Sequence, residues 1–212
     1  NAPATFQATM NEIFRPLLRK TMIVFFDDVL VFSPTLDLHL KHLEQVFQIL
    51  SQQQFQLKGS KCAFCQPQIS YLGHIVTAGT VAPDPLKIQA IMDWPPPKTV
   101  KGLRGFLGLS GFYRKFVRGY ATMALPLTNL LRKDAFKWTQ EEQDALDTLK
   151  QALATAPVLV LPNFKEPFVV QTDASGKAMG AVLLQGYHPI AYFSKVFCPR
   201  MANASAYLRE LH

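Results

Sequence analysis

The chain has 212 residues, of which 49% are hydrophobic, and this is enough to form a packed core and argues against disorder. The longest apolar runs are about five residues, far short of the roughly 20 that a membrane-spanning helix needs. Three cysteines do not make a disulfide framework. The formal net charge is +7.

The positive charge is unevenly distributed. Residues 1–138 carry a net charge of +8, whereas residues 139–212 carry −1. An acid-free stretch between Asp93 and Asp134 contains eight basic residues, namely Lys98, Lys101, Arg104, Arg114, Lys115, Arg118, Arg132 and Lys133. Such a stretch can be a solvated face, but its interleaved aromatic residues favour contact with a phosphate backbone.

In chain order, apolar residues at a spacing of three and four predict a helix over residues 3–20, with a kink or an early end at Pro16.

Two short apolar runs then flank Asp27 and Asp28. A buried pair of carboxylates would repel, and burying an unpaired charge is costly. The pair therefore indicates either an exposed hairpin turn or a turn that holds a cation.

The next helix is predicted over residues 36–55, and its apolar stripe is expected to be core. That stripe consists of Leu40, Leu43, Val46, Phe47 and Leu50. His39 and His42 share a helix face and are expected on a solvated surface.

Short strands are predicted at residues 56–57 and 63–64, and a hairpin over residues 69–81 with its turn at 78–80. A zinc site at Cys62 and Cys65 is disfavoured, because no second cysteine pair exists at a suitable spacing.

A short helix is predicted over residues 86–94, followed by a stiff connector at 95–97 and a strong helix over residues 99–117. The face of the long helix that we expect to be buried contains Leu103, Phe106, Leu107, Ser110, Tyr113 and Val117. Glycine inside a helix costs about 1 kcal/mol. Gly105 and Gly108 therefore indicate close packing, against either another helix or a sugar–phosphate surface.

Further helices are predicted over residues 125–131 and 139–154, the second with a capping box of Thr139 and Glu142. Three successive strands are predicted at residues 168–172, 180–184 and 189–193, and the start of a helix at 205–212. The change from helical to strand periodicity places a domain boundary around residues 157–167.

Several motifs together resemble one protein family. The segment from Phe25 to Ser33 resembles the aromatic-x-Asp-Asp hairpin of reverse transcriptases, and residues 1–7 resemble the motif that precedes it in gypsy-type long-terminal-repeat retrotransposons. Seven further matches follow in family order: Ser60-Lys61-Cys62, Tyr71-Leu72-Gly73-His74, Asp84-Pro85-Leu86-Lys87-Ile88, Leu103-Arg104-Gly105-Phe106-Leu107-Gly108, Thr172-Asp173-Ala174-Ser175, His188-Pro189-Ile190-Ala191-Tyr192 and Arg209-Glu210-Leu211. The matches extend over nearly the whole chain.

The resemblance implies an α+β protein with four parts. These are the C-terminal part of a polymerase palm at residues 1–82, a helical basic thumb at 83–135, a connection at 136–166, and the N-terminal part of a ribonuclease H-like α/β domain at 167–212. It further implies an enzyme that copies RNA into DNA with two Mg²⁺ ions per active site and degrades the RNA strand of the hybrid.

Site residues follow from the same resemblance. Asp27 and Asp28 would bind the polymerase metals, and Asp173 and Glu210 the ribonuclease H metals. The residues expected to bind nucleic acid are Tyr71, Leu72, Gly73, His74, Lys101, Arg104, Gly105, Gly108, Arg114, Lys115 and Arg118. The expected partners are an RNA template, a DNA primer, the RNA–DNA hybrid and deoxynucleoside triphosphates.

Two positions depart from the common family pattern. Phe25 stands where many members have Tyr, and Thr80 stands where Gly is frequent.

The chain also begins with Asn, and further metal-binding carboxylates of the family would lie outside it. We therefore expect a fragment that binds primer–template weakly and catalyses little. The alternative is a host-retained module that binds nucleic acid or protein. A cytoplasmic particle or the nucleus is the location that the resemblance implies.

Overall fold

The computed structural model describes residues 2–210, except for the side chains of Ala206 and Glu210. The chain divides into two compact units, the first ending at Leu72 and the second beginning at Gly73. The first unit contains α1 (Ala2–Ile13), β1 (Met22–Phe25), β2 (Asp28–Val31), α2 (Leu36–Gln52), a 3-10 turn (Gly59–Lys61) and β3 (Gln68–Tyr71).

Helix α1 ends before Pro16, as the sequence predicts, because proline in a helix interior loses a hydrogen bond and clashes with the preceding turn. Strands β1 and β2 form an antiparallel hairpin in which Phe25 pairs with Asp28. The core of this unit is formed by Met10, Phe14, Met22, Val46 and Leu50, all nearly inaccessible to solvent.

Two local predictions in this unit are wrong. Val46 and Leu50 of the predicted α2 stripe are buried, but Leu40 and Phe47 are exposed, since only one edge of the stripe faces the core of the unit. The strands predicted at residues 56–57 and 63–64 are absent among the described residues, which instead form irregular backbone around the 3-10 turn.

The second unit is larger and contains most of the helices. Its elements are β4 (His74–Thr77), β5 (Thr80–Pro83), α3 (Pro85–Met92), α4 (Val100–Phe112), a 3-10 turn (Arg114–Phe116), α5 (Tyr120–Met123), α6 (Leu125–Asn129), α7 (Gln140–Ala154), β6 (Leu159–Val160), β7 (Val169–Ala174), β8 (Ala178–Gln185), β9 (His188–Val196), α8 (Pro199–Ala202) and α9 (Ala206–Glu210).

The predicted hairpin turn at residues 78–80 is confirmed. Strands β4 and β5 pair antiparallel with Thr77 opposite Thr80, and β6 adds to the free side of β5. Gly79 has a φ of +81°, which glycine adopts at little cost. Thr80 is accommodated because its hydroxyl forms a hydrogen bond with that of Thr77.

The core of the second unit lies along α4 and α7. The predicted apolar face of α4 is confirmed, with Leu103, Phe106, Ser110, Tyr113 and Val117 buried and Leu107 half-buried. Helix α7 contributes buried residues at the same helical spacing, namely Leu146, Leu149 and Leu153.

Side-chain caps fix where these two helices begin. The Thr99 hydroxyl accepts a hydrogen bond from the Gly102 N–H at the start of α4. The predicted capping box of Thr139 and Glu142 is present at the start of α7.

Strands β7, β8 and β9 form an antiparallel meander, and they confirm the three strands predicted from periodicity. Gly186 and Tyr187 form the two-residue loop between β8 and β9, and both have positive φ, of +53° and +65°. This is the conformation of a type I′ turn, which matches the twist of the adjoining strands.

The mixed composition of helices and sheets confirms the α+β class. Among residues 2–210, no helix combines the length and the apolar character that crossing a membrane requires.

Candidate polymerase hairpin and basic thumb-like helix

The two adjacent carboxylates lie at the tip of the β1–β2 hairpin. Phe25 pairs with Asp28, so Phe26 and Asp27 form a two-residue connection between the strands. Such tight hairpins favour mirror-image turns in which a central residue has positive φ. Phe26 has a φ of +50°, a conformation that costs a non-glycine residue of order 1–3 kcal/mol. The hairpin therefore contains a strained residue immediately before Asp27.

Two side chains of the first unit contact the backbone of this turn. The Phe26 N–H donates to Gln7 Oε1 at 2.6 Å, and Gln7 Nε2 donates to the Val24 carbonyl at 3.4 Å. Tyr71 Oη donates to the Asp28 carbonyl at 3.4 Å. Burial, and to a smaller extent the charge of Asp28, raises the pKa of the Tyr71 hydroxyl, so Tyr71 remains a neutral donor near pH 7.

Both carboxylates of the turn are exposed to solvent. The ion pair found among residues 2–210 joins Arg15 to Glu12, and none involves Asp27 or Asp28. Carboxylate oxygens are the ligands that Mg²⁺ prefers, so the two residues fit a divalent ion in their chemistry. The described residues contain no cluster of three or more His, Cys, Asp or Glu side chains that could hold a metal. Asp27 and Asp28 therefore supply part of a ligand set.

The predicted primer-contacting segment, residues 71–74, contains the division between the two units. In the second unit, Gly73 has a φ of +76°, and its carbonyl accepts a hydrogen bond from Tyr113 Oη at 2.7 Å. A Cβ atom at position 73 would lie 3.2 Å from that hydroxyl. The ring of His74 packs against Phe112 and Phe116, with centroid distances of 5.1 and 5.8 Å. The start of β4 is thereby fixed against the end of α4.

The predicted basic residues of α4 and the turn after it differ in accessibility. Lys101, Arg104, Arg114 and Arg118 are exposed. Lys115 is half-buried, with its Nζ 5.2 Å from the centroid of the Phe116 ring, and burial lowers the pKa of its ammonium group. Four exposed cations therefore remain available for an anionic partner, while Lys115 also contributes to packing.

The two glycines of α4 have different surroundings. A Cβ at Gly105 would lie 3.2 Å from the Trp94 ring, whereas a Cβ at Gly108 would meet nothing within 4 Å. Gly105 is therefore explained by packing against an aromatic side chain, an explanation that sequence reasoning did not consider. Gly108 has no side chain on the exposed surface of α4. The backbone of a partner molecule could therefore approach the helix closely at this position.

Asp173 lies exposed in β7, opposite Gly180 of β8. It borders an open cavity of about 570 Å³, to which Arg118, Thr122 and Tyr187 also contribute. The side chain of Glu210 lies outside the described residues. Helix α9 contacts β7, and Arg209 donates to the Gly176 carbonyl at 3.5 Å. The pairing of Asp173 with Glu210 stays a prediction.

Sequence reasoning missed several polar contacts in these regions. Gln7 and Tyr113 hold turns through hydrogen bonds with the backbone. A signal for Gln7 existed, because it belongs to the motif before the hairpin. His39 and His42 are half-buried, and the Nδ1 atoms of both lie within hydrogen-bond distance of Ser33 Oγ, at 3.2 and 2.7 Å. The expected histidine surface is therefore partly accessible to solvent and partly occupied by contacts with Ser33.

Comparison with known protein families identifies two regions of the chain. Residues 1–76 match a family described as reverse transcriptase (RNA-dependent DNA polymerase), and residues 138–212 match an RNase H-like domain found in reverse transcriptase. These two ranges contain the Asp27–Asp28 hairpin and the β7–β9 sheet, respectively.

Two similar proteins cover all or part of the chain. The retrovirus-related Pol polyprotein from transposon 297 of Drosophila melanogaster is 43% identical over 213 residues, which cover all of this chain and 20% of that polyprotein. An uncharacterized mitochondrial protein of Arabidopsis thaliana is 49% identical over 134 residues, which cover 62% of this chain and 85% of that protein.

A solved structure of the foamy viral protease-reverse transcriptase in complex with an RNA/DNA hybrid superposes on the whole chain with a TM-score of 0.89. The two proteins are 29% identical, and this chain covers 29% of the foamy viral chain. Against the transposon 297 polyprotein, this chain spans about a fifth of the length. The chain belongs to the family of retrotransposon Pol polyproteins, and it contains reverse transcriptase and RNase H-like parts of such a polyprotein.

Proposed function

We propose that this chain is the segment of a gypsy-type retrotransposon polyprotein that joins the polymerase active site to the ribonuclease H domain. The parent enzyme would copy RNA into DNA and degrade the RNA strand of the hybrid. The observation that carries the proposal is the exposed Asp27–Asp28 pair, presented at a strained two-residue turn in a chain that matches reverse transcriptases.

The four predicted parts remain our proposal for its organisation. They are the palm at residues 1–82, the thumb at 83–135, the connection at 136–166 and the ribonuclease H-like part at 167–212. The match of residues 138–212 to an RNase H-like domain contains the last part, and it also contains most of the proposed connection.

Reverse transcriptases and RNase H-like domains generally depend on divalent metal ions. In this chain, Asp27 and Asp28 would hold Mg²⁺ in the polymerase site, and Asp173 with Glu210 in the ribonuclease H site. A bound divalent ion activates a hydroxyl nucleophile and offsets the negative charge of phosphoryl transfer. The contribution of the chain itself is to present hard oxygen ligands from a turn whose backbone is held by Gln7 and Tyr71.

The nucleic-acid partner would be a primer–template duplex. The exposed cations of α4 and the following turn lie in an acid-free stretch, and no carboxylate among the described residues pairs with them. The complex of the foamy viral enzyme with an RNA/DNA hybrid supports the same class of partner. Phosphate contacts release counterions, so this binding should weaken steeply as salt is raised.

The test is binding of a labelled RNA–DNA hybrid by fluorescence anisotropy at several salt concentrations. Charge reversal at Lys101, Arg104 and Arg118 should weaken binding by at least about tenfold at low salt and reduce the salt dependence. The matched control reverses three exposed lysines outside the stretch, Lys20, Lys41 and Lys165, and so changes the net charge equally.

Equal losses in the two triple variants would mean that only net charge matters, which would contradict a defined nucleic-acid surface. The alternative of a host-retained binding module has less support. The chain matches both enzyme families and retains Asp27, Asp28 and Asp173, which a binding module does not need.

A further inference from the structure

We propose that Gln7 is a positioning residue for the Asp27–Asp28 turn, an inference that rests on the proposed metal-binding role of these aspartates. Through one side-chain amide, Gln7 would hold the backbone of the turn in the conformation that presents both carboxylates. The hydrogen bonds of Gln7 among the described residues do not include either carboxylate, so it would act through the Phe26 peptide and the β1 backbone.

The contacts of Gln7 use both ends of its amide group. Oε1 accepts the Phe26 N–H at 2.6 Å, and Nε2 donates to the Val24 carbonyl at 3.4 Å and to Asn11 Oδ1 at 2.9 Å. A primary amide offers one acceptor oxygen and two donor hydrogens. Glutamine at this position on α1 therefore satisfies one backbone N–H and one backbone C=O of the hairpin together, while Asn11 orients the amide.

The turn needs such support for two reasons. Phe26 adopts a φ of +50°, which is unfavourable for a residue with a large side chain. The hairpin has only two strands of four residues each, and an isolated two-stranded hairpin is marginally stable in water.

The side chains at the tip contribute little packing, since Phe25 is half-exposed and both aspartates are exposed. A hydrogen bond from α1, which is anchored in the core through Met10, supplies the restraint that burial does not.

The first measurement is amide hydrogen exchange at Phe26, followed by NMR on the whole chain. Gln7→Met keeps the length of the side chain and removes its hydrogen bonds, and it should accelerate exchange of the Phe26 amide by at least about fivefold. The control is Gln48→Met on α2, where the glutamine is exposed and its side chain donates to Glu44 one turn earlier. This control should leave the Phe26 amide unchanged.

The second measurement is Mn²⁺ binding, followed by the loss of the free-ion signal in electron paramagnetic resonance. Gln7→Met should weaken the binding that depends on Asp27 and Asp28 by at least about threefold. The double variant Asp27→Asn/Asp28→Asn defines the background. If the wild-type chain binds no more Mn²⁺ than this double variant, the proposed metal role fails, and the exchange data alone then decide whether Gln7 holds the turn.

Gln7→Glu keeps the inference testable if Gln7→Met does not fold, and a Phe26→Gly background adds a second test if it does. Gln7→Glu retains an oxygen acceptor and should keep exchange of the Phe26 amide within about twofold of wild type. Phe26→Gly relieves the backbone strain, so adding Gln7→Met to it should have a smaller effect on Mn²⁺ binding than in the wild type. Wild-type exchange at Phe26 in Gln7→Met, or loss of protection in Gln7→Glu, would overturn the inference.

Discussion

The Asp27–Asp28 hairpin and the α4–α7 core are held together by different forces. At the hairpin, the two carboxylates are exposed, and the turn depends on hydrogen bonds that its backbone makes with the side chains of Gln7 and Tyr71. In the α4–α7 core, side chains such as Phe106 and Leu149 are fully buried. Phe26 at the exposed hairpin has a strained backbone, and apolar burial contributes little there.

The difference shows where stability and function can be separated. Substitutions in the α4–α7 core remove buried apolar surface, so their effect appears in the free energy of unfolding. Substitutions at the hairpin carboxylates remove exposed groups, so their effect should appear in ligand binding and hardly in stability. The following predictions test this separation, from the largest expected effect to the smallest.

Phe106→Ala should have the largest effect on stability. The side chain is fully buried beside Trp94, and removing it leaves a cavity that should lower the free energy of unfolding by about 3–5 kcal/mol. Denaturant unfolding followed by circular dichroism and tryptophan fluorescence measures this, since Trp94 and Trp138 both lie in the second unit. The control Phe164→Ala removes a side chain that is 85% exposed and should cost less than about 0.5 kcal/mol.

Lys150→Met should have an intermediate effect. The Lys150 ammonium donates to the Met92 and Trp94 carbonyls at 2.9 and 2.6 Å and so satisfies the end of α3. Its removal leaves those carbonyls without this charged donor and should lower the free energy of unfolding by about 1.5–3 kcal/mol. Lys165→Met, at an exposed position, is the control. Equal stability of the two variants would contradict a structural role for Lys150.

Glu142→Gln should cost about 1 kcal/mol near pH 7. Hydrogen bonds from the Thr139 hydroxyl and N–H lower the pKa of the Glu142 carboxyl below its ordinary value, although burial opposes this. A lowered folded-state pKa means that the stabilisation is present above the ordinary pKa and is lost as pH falls through the folded-state value.

The stability difference between wild type and Glu142→Gln should therefore shrink as the pH is lowered below 4.5, the ordinary value for this carboxyl. Unfolding curves measured from pH 7 to pH 3 test this. A difference that stays constant over this range would show that the charge of Glu142 does not contribute to the capping box.

Asp27→Asn/Asp28→Asn should have the smallest effect on stability. Both carboxylates are exposed and unpaired among residues 2–210, so the midpoint of thermal unfolding should stay within about 2 °C of wild type, while Mn²⁺ binding falls. Asp84→Ala is the contrasting variant, because Asp84 Oδ1 accepts the Leu86 N–H at the start of α3. Losing this cap should lower the midpoint by about 2–4 °C. A large destabilisation by the double variant would break the comparison.

Local patterns in the sequence determined much of the fold. The spacing of Leu103, Phe106 and Ser110 predicted the buried face of α4, because side chains three and four residues apart share one side of a helix. The capping box at Thr139 and the three strands of the β7–β9 sheet followed from equally local signals. The exposure of Leu40 could not be predicted in this way, since it depends on which parts of the chain pack against α2.

The candidate site likewise combines features that the sequence predicts with features that only the tertiary structure shows. Asp27 and Asp28 could be found from the sequence, because adjacent carboxylates between two apolar runs need a physical reason. The strain at Phe26, the Tyr113 bond to the Gly73 carbonyl and the packing of Trp94 on Gly105 could not. Each joins residues that are distant in the chain or depends on the exact backbone of a turn.

The sequence by itself determined the family motifs, the helices and strands with clear periodicity, and which residue types could bind a metal or a phosphate. Only the tertiary structure decided which polar side chains hold the turns, because Gln7 and Phe26 are 19 residues apart and meet only after the hairpin folds against α1. Propensities act over a few neighbouring residues, whereas a hydrogen bond between distant segments needs atoms placed to within a fraction of an ångström.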